Sequence, residues 1–225
     1  MAFSDWEFFS RVTEQTIPSN IQFLSETGNP IADSASLNIA DQGNPARATV
    51  AATLKGLLFP TILTLGRIRT IFERKTGSGF RDQGFYFLTS GRNPTLDGVS
   101  GYTAHIIDGS TTLRISKFTN GLHDITSFTT LNTFVTATSG SDENVVMESE
   151  WFGGFVSDFK GFTQIETRFS NNTIDFSNLV DLSTIQDSSS PFTVGYAGVW
   201  VRSRNSSEPL DVLIDNTTIY QREFV

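Results

Sequence analysis

Apolar and polar residues alternate along much of the chain from residue 67 onward, which is the pattern of β-strands that bury one face. In the segment GRIRTIFERK, Ile68 and Phe72 fall on one side and Arg69 on the other. In QGFYFLTS, Phe85 lies opposite Tyr86 in the same way. Both segments therefore predict strands with one row of side chains in a core.

The segment GYTAHIIDGSTTLRISKFTN, residues 101–120, predicts a β-hairpin. Two alternating runs flank Asp108-Gly109, and residues of these types readily adopt the positive φ that a tight hairpin turn requires. The two runs are expected to be adjacent strands of one sheet. Their apolar row, which includes Ala104 and Ile115, would face a second sheet about 10 Å away.

Further alternating segments continue to the end of the chain, and loops rich in Ser, Asn, Gly and Pro separate them. These segments are SFTTLNTFVTAT, NVVMESEWFGGFVS, FTQIETRF, FTVGYAGVWVRS and DVLIDNTTIYQRE. Roughly a dozen strands at this spacing indicate two packed antiparallel sheets. No linker, charge block or low-complexity segment divides them, so residues 1–225 are predicted to form a single all-β domain.

Two segments allow two interpretations each. Near the N-terminus, Ser4 and Glu7 fit a helix capping box with Trp6 on an apolar helix face, but the same residues also fit a first strand. Residues 48–65, ATVAATLKGLLFPTILTL, have leucine spacing that suits a helix, whereas Pro60 and the threonines around it suit a buried strand. A short N-terminal helix docked on the sandwich is therefore one of two expectations.

Composition and charge narrow the class of protein. The chain has 20 Phe and 18 Gly but only 18% charged residues, which favours short strands joined by frequent turns. A formal net charge of −8 opposes binding to the phosphates of nucleic acid. The absence of cysteine excludes disulfides, thiolate metal sites and a cysteine nucleophile. No secretory signal peptide is predicted, because the N-terminal sequence lacks a basic segment followed by an apolar one. No membrane span is predicted, because the sequence has no apolar stretch of about 18 residues.

The order of the segments resembles the concanavalin A-like lectin and glucanase superfamily, in particular its laminin-G-like branch. The resemblance is carried by GFYFLTS, GYTAHIIDGSTTLRISKFTNG, FTVGYAGVWVRS and VLIDNTTIYQ. In that superfamily an apolar strand running into Asp-Asn commonly closes the sandwich near the C-terminus, where this chain has Asp215-Asn216. The resemblance covers most of residues 67–225 in order and residues 1–66 more loosely. It implies a jelly-roll sandwich of two antiparallel sheets, and a fold of this kind does not by itself imply a function.

Paired glutamates are the nearest approach to a catalytic motif. Glycosidases of this fold need two carboxylates that flank the sugar bond, about 5–5.5 Å apart in retaining enzymes. The related glucanases carry them on one strand in a Glu-x-Asp-x-x-Glu type arrangement. In MESEWFGG, Glu148 and Glu150 share a strand face, but Phe152 and Gly153 occupy the region of the third carboxylate. Because a solvated strand face explains such a pair without catalysis, no enzymatic activity is predicted.

The two histidines, His105 and His123, do not form a recognisable catalytic or metal-binding motif. No G-x-S-x-G segment supplies a nucleophilic serine for a Ser-His-Asp triad. His105 is expected to be exposed on the polar side of its strand, and His123 to lie beside a turn.

One loop gathers oxygen ligands of the kind that Ca²⁺ prefers. It is SGSDEN, residues 139–144, and it lacks the regular acidic alternation of a dedicated calcium loop. A mobile acidic turn explains this loop equally well. Similarly, Asp215-Asn216 is explained by a polar turn pair whose side chains bond to local backbone. No cofactor is therefore predicted, and Ca²⁺ remains the alternative.

The alternation also predicts a polar face, made of side chains on the side of their strands that points away from the core. If their strands are neighbours, this face would stack a sugar on Tyr86 and bind its hydroxyls through the other side chains. An ordinary wet face or a contact with another subunit is the alternative. The six residues are Arg69, Tyr86, His105, Arg114, Gln164 and Glu166.

The favoured functional hypothesis is a non-enzymatic subunit of a larger assembly, such as a head-decoration, tail or fibre-associated protein of a bacteriophage virion. Virions assemble in the host cytoplasm and leave by lysis, which fits a lectin-like sandwich without a signal peptide, cysteine or catalytic acids. Its partners would be other protein subunits, with a cell-surface glycan as a further candidate. The alternatives are a free-standing carbohydrate-binding module and a glycosidase that acts through the paired glutamates.

Overall fold

The computed structural model describes residues 6–13, 21–27, 35–41, 47–55, 58–60, 64–74, 81–107, 112–135, 144–155, 161–171, 176–203 and 211–223. Within these ranges the chain forms fifteen β-strands and two single-turn 3-10 helices, Ile125–Ser127 and Phe176–Asn178. The strands are β1 (Trp6–Thr13), β2 (Ile21–Thr27), β3 (Ala35–Asp41), β4 (Arg47–Leu54), β5 (Phe59–Pro60), β6 (Thr64–Arg74), β7 (Arg81–Thr89), β8 (Gly101–Ile107), β9 (Thr112–Phe118), β10 (Thr129–Val135), β11 (Asn144–Phe155), β12 (Gly161–Asn171), β13 (Val180–Asp187), β14 (Val194–Ser203) and β15 (Asp211–Glu223). In these ranges there is no helix of the length and hydropathy that crossing a membrane would need.

The strands form two antiparallel sheets. The first sheet has the order β1-β4-β14-β7-β8-β9-β10, with β5 paired to β14, and the second has the order β13-β12-β11-β6-β15-β3-β2. Every pairing is antiparallel. The predicted all-β sandwich of two antiparallel sheets is confirmed.

The main core lies between the inward faces of the two sheets. Phe85 and Phe87 enter it from the first sheet, and Phe72, Trp151 and Ile165 enter it from the second. The rings of Phe87 and Trp151 stack with centroids 4.8 Å apart and planes 2° from parallel, so they join the two sheets directly. Each fully buried side chain of this size stabilises the fold by about 1.5–3 kcal/mol through removal from water.

The hairpin predicted in residues 101–120 is present as β8 and β9. The two strands pair with Ala104 opposite Ile115, and both residues are fully buried in the main core. The apolar row therefore faces the other sheet, as the alternation predicted. The turn residues 108–111 lie outside the described part of the chain.

The two ambiguous segments are strands where they are described. Trp6–Thr13 is the edge strand β1, and Trp6 and Phe8 turn into the main core while Glu7 points outward. The strand interpretation is therefore confirmed for this segment, and the helical one is wrong. Residues 48–65 contribute to β4, the short β5 and the start of β6, with Pro60 on β5 opposite Val194.

The C-terminal strand β15 lies inside the second sheet, between β6 and β3. Its register with β6 shifts between Asp215 and Thr218, so the strand contains an irregularity of the β-bulge type. Ile214 and Ile219 are an odd number of positions apart, yet both face the core because the bulge reverses the alternation between them. The sequence predicted the strand but not this reversal.

Candidate functional site

The six residues predicted to form one polar face lie on two different faces. The alternation placed each on the side away from the main core, but the two sheets of a sandwich present those sides in opposite directions. No single ligand can therefore contact all six, and the prediction of a shared face is wrong. Arg69, Gln164 and Glu166 belong to the second sheet, whereas Tyr86, His105 and Arg114 belong to the first.

The outer face of the first sheet is covered by two segments, residues 90–100 and 119–128, which we call the cover loops. Tyr86 and Trp200 on this face form a second apolar cluster with Leu122 and other residues. Tyr86 has 0% of its surface exposed, so it cannot stack a sugar. The sequence pattern gave the direction of this side chain, but the packing of the cover loops decided its exposure.

Polar atoms beneath the cover loops bind one another. The Tyr86 hydroxyl and Thr53 Oγ1 are 2.5 Å apart, and Thr53 Oγ1 donates to the carbonyl oxygen of Arg92 at 2.7 Å. Trp200 Nε1 donates to Thr103 Oγ1 at 3.0 Å. Burial raises the pKa of Tyr86 well above its ordinary value of 10.0, because a buried phenolate would lack water around its charge. The cluster is a packed support for the cover loops.

His105 also lies beneath the cover loops, and the expectation that it would be exposed is wrong. Only 2% of its surface is exposed, and its ring contacts Trp200 and Phe128 with centroids 5.5 and 5.8 Å away. Phe128 directly follows the 3-10 turn of the second cover loop. The strand pattern around His105 does not indicate that this loop packs above it. The histidine therefore packs as part of an aromatic cluster.

Hydrogen bonds join the two cover loops to each other. Leu122 N donates to the carbonyl oxygen of Pro94 at 2.8 Å, and Gly121 N donates to that of Val99 at 2.7 Å. His123 Nε2 lies 3.2 Å from Asp97 Oδ1, which gives an ion pair when the imidazole is protonated. These contacts hold the two loops together as one layer over the first sheet.

Asp124 caps the 3-10 turn within the second cover loop. Its carboxylate accepts hydrogen bonds from Thr126 Oγ1 at 2.6 Å and from Asn120 Nδ2 at 2.9 Å. These bonds lower the pKa of Asp124, with Thr126 as the largest cause, because they stabilise the ionised form. His123 thus lies beside a turn, as predicted, and His123-Asp124 has a capping and loop-joining role.

The outer face of the second sheet presents an ordered grid of charged residues, which is the candidate functional site. The register places Glu150 between Arg67 on β6 and Glu166 on β12. One row along the strands, it places Glu148 between Arg69 and Arg168. The charged grid is defined by these six residues, Arg67, Arg69, Glu148, Glu150, Glu166 and Arg168.

Ion pairs link most of the charged grid. Arg67 is paired with Glu150 and lies 3.9 Å from Glu148, and Arg168 is paired with Glu166 and lies 3.5 Å from Glu148. The side chain of Glu148 is only 8% exposed, so its charge is held mainly by the two guanidinium groups beside it. Five of the six side chains, all except Arg69, therefore have a charged partner within the grid, on the same strand or on an adjacent one, and these ion pairs restrict their positions.

Aromatic rings lie at the margins of the charged grid. The Arg67 guanidinium is 4.8 Å from the ring centre of Tyr220 on β15, and the Arg69 guanidinium is 4.7 Å from that of Phe176. Phe152 and Phe162 form an edge-to-face pair at 6.4 Å beyond the other end of the grid. All four rings are partly exposed. Polar groups in fixed positions beside partly exposed rings are the components of a site for a saccharide.

The paired glutamates on β11 lie on this face, as the sequence predicted. Phe152 and Gly153 follow them, in the region where a third carboxylate would fall in the related glucanases. Both carboxylates accept contacts from guanidinium groups, Glu150 from Arg67 and Glu148 from Arg67 and Arg168. A substrate would have to compete with these ion pairs before either carboxylate could act as an acid, base or nucleophile.

The described residues contain no group of three or more His, Asp and Glu side chains that could hold a metal ion. The loop proposed for Ca²⁺, residues 139–144, lies outside the described part of the chain except for Asn144 at the start of β11. The backbone of Asp215-Asn216 belongs to β15, at its register shift.

Four residues at the candidate site were not predicted from the sequence, namely Arg67, Arg168, Tyr220 and Phe176. Arg67 shares a strand face with Arg69, and Arg168 shares one with Glu166, so the same alternation could have identified both. Tyr220 could not be placed from its pattern, because the bulge in β15 breaks the alternation before it. Of the six predicted residues, Arg69, Gln164 and Glu166 share the outer face of the second sheet, whereas Tyr86, His105 and Arg114 lie on adjacent strands of the first, where His105 is opposite Arg114 in register.

Comparison with solved structures finds the same sandwich in other proteins. The exoplasmic/lumenal domain of VIP36 in its metal-free form matches 98% of this chain and 85% of that chain, with 10% identity and a TM-score of 0.56. Its Ca²⁺/Man3GlcNAc-bound form matches 97% of this chain and 84% of that chain, with 12% identity and a TM-score of 0.54. The GH16 protein of the Bacteroides ovatus mixed linkage glucan PUL, in complex with a G4G4G3G product, matches 98% and 96%, with 8% identity and a TM-score of 0.51.

No protein-family model and no curated protein matches the chain. No comparison bears on the laminin-G-like branch or on a phage origin. At such low identities the structural likeness establishes the fold and leaves the function open. The chain has the concanavalin A-like lectin and glucanase sandwich fold, as the resemblance implied.

Proposed function

We propose that the chain is a carbohydrate-binding domain that holds a saccharide on the outer face of its second sheet. The observation that carries this proposal is the charged grid, in which ion pairs within and between strands hold guanidinium and carboxylate groups beside the partly exposed ring of Tyr220. Hydroxyl groups of a sugar both donate and accept hydrogen bonds, so they match a surface that offers carboxylate acceptors and guanidinium donors side by side.

The fold adds support of a general kind. VIP36 was solved with Man3GlcNAc and the Bacteroides ovatus protein with a glucan product, and both share this sandwich. The first sheet is a poorer candidate, because the cover loops bury Tyr86 and His105 on its outer face. The second sheet is therefore the better place for a ligand.

Replacement of the ring at the margin of the grid tests this proposal. Tyr220→Ala removes a partly exposed ring without changing the charge, and we expect the affinity for a bound oligosaccharide to fall about five- to ten-fold. Glycan-array screening followed by calorimetric titration provides the measurement. Tyr196→Ala, which removes a partly exposed ring from the first sheet, is the matched control and should bind as the wild type does. Absence of binding to every glycan on the array would contradict the proposal.

We further propose that the domain binds its saccharide without cleaving it. The ion pairs that hold Glu148 and Glu150 support a non-catalytic site, as do Phe152 and Gly153 in the region of the third carboxylate. The alternative is a glycosidase acting through the same two glutamates, which is favoured by their shared strand face. Release of reducing ends from β-glucan that disappears in both Glu148→Gln and Glu150→Gln would establish the alternative.

A subunit of a larger assembly, such as a phage particle, remains a separate proposal from the sequence. It predicts that the chain forms oligomers or copurifies with particles and binds no glycan. Light scattering on the purified chain, combined with the same glycan array, distinguishes it from a free-standing carbohydrate-binding domain.

A further inference from the structure

Within the described part of the chain, Arg69 differs from the other two arginines of the charged grid because it forms no ion pair. Arg67 and Arg168 each lie beside two glutamates, and together they contact all three of the grid. Among the described residues, no carboxylate lies within ion-pair distance of Arg69, although Glu148 is its partner in strand register. The positive charge of Arg69 is thus available to a ligand within that part of the structure.

Phe176 holds the Arg69 guanidinium in position. The ring belongs to the 3-10 turn in the connection between β12 and β13, and these strands lie on the far side of β11 from Arg69. Because the guanidinium nevertheless lies 4.7 Å from the ring centre, the connection at Phe176 must reach over the outer face. A cation–π contact of this kind favours one position of a guanidinium and limits the entropy lost when it binds a ligand.

The part of Arg69 left for a ligand is the outer end of its guanidinium. Its Nε atom is buried and has no hydrogen-bond partner among the described residues, while the side chain as a whole is partly exposed. A ligand that approaches from solvent therefore meets the terminal amino groups. Two parallel N–H donors in one plane match two oxygens of a carboxylate or a sulfate.

We propose that Arg69 binds the anionic group of an acidic saccharide, so that the site prefers uronic acid or sulfated sugars to neutral ones. This inference rests on the proposed carbohydrate-binding function and names the substrate class for that site. The neighbouring glutamates sharpen the preference, since Glu148, Glu150 and Glu166 offset the charges of Arg67 and Arg168 and repel an anion placed elsewhere on the grid.

Titration with three kinds of oligosaccharide tests the inference. The ligands are alginate oligosaccharides, which carry carboxylates, carrageenan oligosaccharides, which carry sulfates, and laminarin oligosaccharides, which are neutral. We expect the wild type to prefer an acidic ligand, with an affinity that falls as NaCl is raised. Preference for alginate assigns a carboxylate to Arg69, and preference for carrageenan assigns a sulfate.

Variants of Arg69 distinguish anion binding by this residue from a general effect of the protein's net charge. Arg69→Gln should weaken binding of the preferred acidic ligand about ten-fold or more, and binding of the neutral ligand by a clearly smaller factor, because a neutral hydroxyl group loses a hydrogen bond but no charge pair. Arg69→Lys keeps the charge without the planar fork and should recover only part of the affinity. Arg92→Gln removes the same charge from an exposed ion pair with Glu7 on the first sheet and should bind as the wild type does.

Three outcomes would overturn the inference. Equal affinity for acidic and neutral ligands, unchanged in Arg69→Gln, would remove the anion site and leave the carbohydrate-binding proposal intact. An acidic preference that Arg69→Gln and Arg92→Gln reduce equally would show that overall charge, and not Arg69, creates it. Failure to bind any oligosaccharide would overturn both this inference and the proposed function. Circular dichroism of each variant confirms that the fold is retained.

Discussion

Tyr86 and Tyr220 differ in solvent exposure because different groups surround them. Tyr86 points away from the main core as its strand pattern predicted, but the cover loops bury it completely. Tyr220 remains partly exposed beside Arg67, although no simple pattern pointed to it. On a regular strand, alternation therefore predicts reliably which way a side chain points. The exposure of that side chain depends on what packs above the sheet.

Tyrosine ionisation should make the protein less stable at alkaline pH. Burial raises the pKa of Tyr86, and burial and the hydrogen bond to Asp187 raise that of Tyr102, above the ordinary value of 10.0. Folded molecules keep both protons where an unfolded chain loses them, so unfolding releases protons and the stability falls as pH rises above about 10. Each tyrosine contributes about 1.4 kcal/mol per pH unit to this fall.

Tyr86→Phe tests the alkaline prediction and the buried hydrogen bond together. At neutral pH the variant should lose about 1 kcal/mol of unfolding free energy, because Thr53 loses its hydroxyl partner. Above pH 10 its stability should fall less steeply than that of the wild type, by about 1.4 kcal/mol per pH unit. Urea unfolding over a series of pH values measures both effects, and identical slopes for the two proteins would contradict the assignment.

At the scale of the element, a glycine on β14 leaves room for a large ring on the outer face of the first sheet. Gly198 on β14 lies between Thr53 and Tyr86 in register, and the Tyr86 ring occupies the space that a side chain at Gly198 would take. An added Cβ there would meet the Ala52 carbonyl oxygen and the Tyr86 hydroxyl. The pairing of β14 with β4 and β7 thus requires glycine at this position.

Gly198→Ala should destabilise the protein by about 2 kcal/mol or more, because backbone atoms of β4 would have to move to admit the methyl group. Gly161→Ala is the matched control, since the nearest atom to an added Cβ there is Pro191 Cγ at 4.0 Å. The control should stay within about 1 kcal/mol of the wild type, with reduced entropy of the unfolded chain as its main effect. Denaturant unfolding of both variants provides the comparison, and equal effects would show that the contact at Gly198 is unimportant.

At the scale of the whole molecule, a polar clasp ties the two sheets together at one end of the sandwich. Lys117 on the first sheet lies 2.5 Å from Asp187 at the end of the second, and Lys117 Nζ donates to the carbonyl oxygens of Ser189 and Ser190 at 2.6 and 3.0 Å. The Tyr102 hydroxyl donates to the same aspartate at 2.6 Å. Side-chain exposure is 14% for the lysine and 4% for the aspartate, so the clasp is largely shielded from water.

Lys117→Met should destabilise the protein by about 3–5 kcal/mol, because it leaves the buried charge of Asp187 without its cationic partner. Arg92→Met removes the cation of an ion pair with Glu7 whose side chains are 48% and 36% exposed, and it should cost about 0–1 kcal/mol. Thermal and denaturant unfolding of the two variants measure the difference. Similar losses in both would mean that the clasp contributes no more than a surface ion pair.

The interactions of the candidate site illustrate the limit of reading a sequence locally. Arg67 and Arg168 both contact Glu148 because β6, β11 and β12 are adjacent with a particular register. A strand pattern has a period of two residues and carries no information about which strands become neighbours. The sequence therefore identified the charged residues of each strand but could not pair them.

By itself, the sequence determined most strands from residue 67 onward, the hairpin of residues 101–120 and the inward rows of the core, because these follow from local alternation and from the residues that turns require. The tertiary structure alone decided that the six predicted site residues divide between opposite faces and that the cover loops bury one of those faces. It also decided the reversal at the bulge of β15 and the cross-strand ion pairs. These features depend on contacts between residues far apart in the chain, which no short segment of sequence specifies.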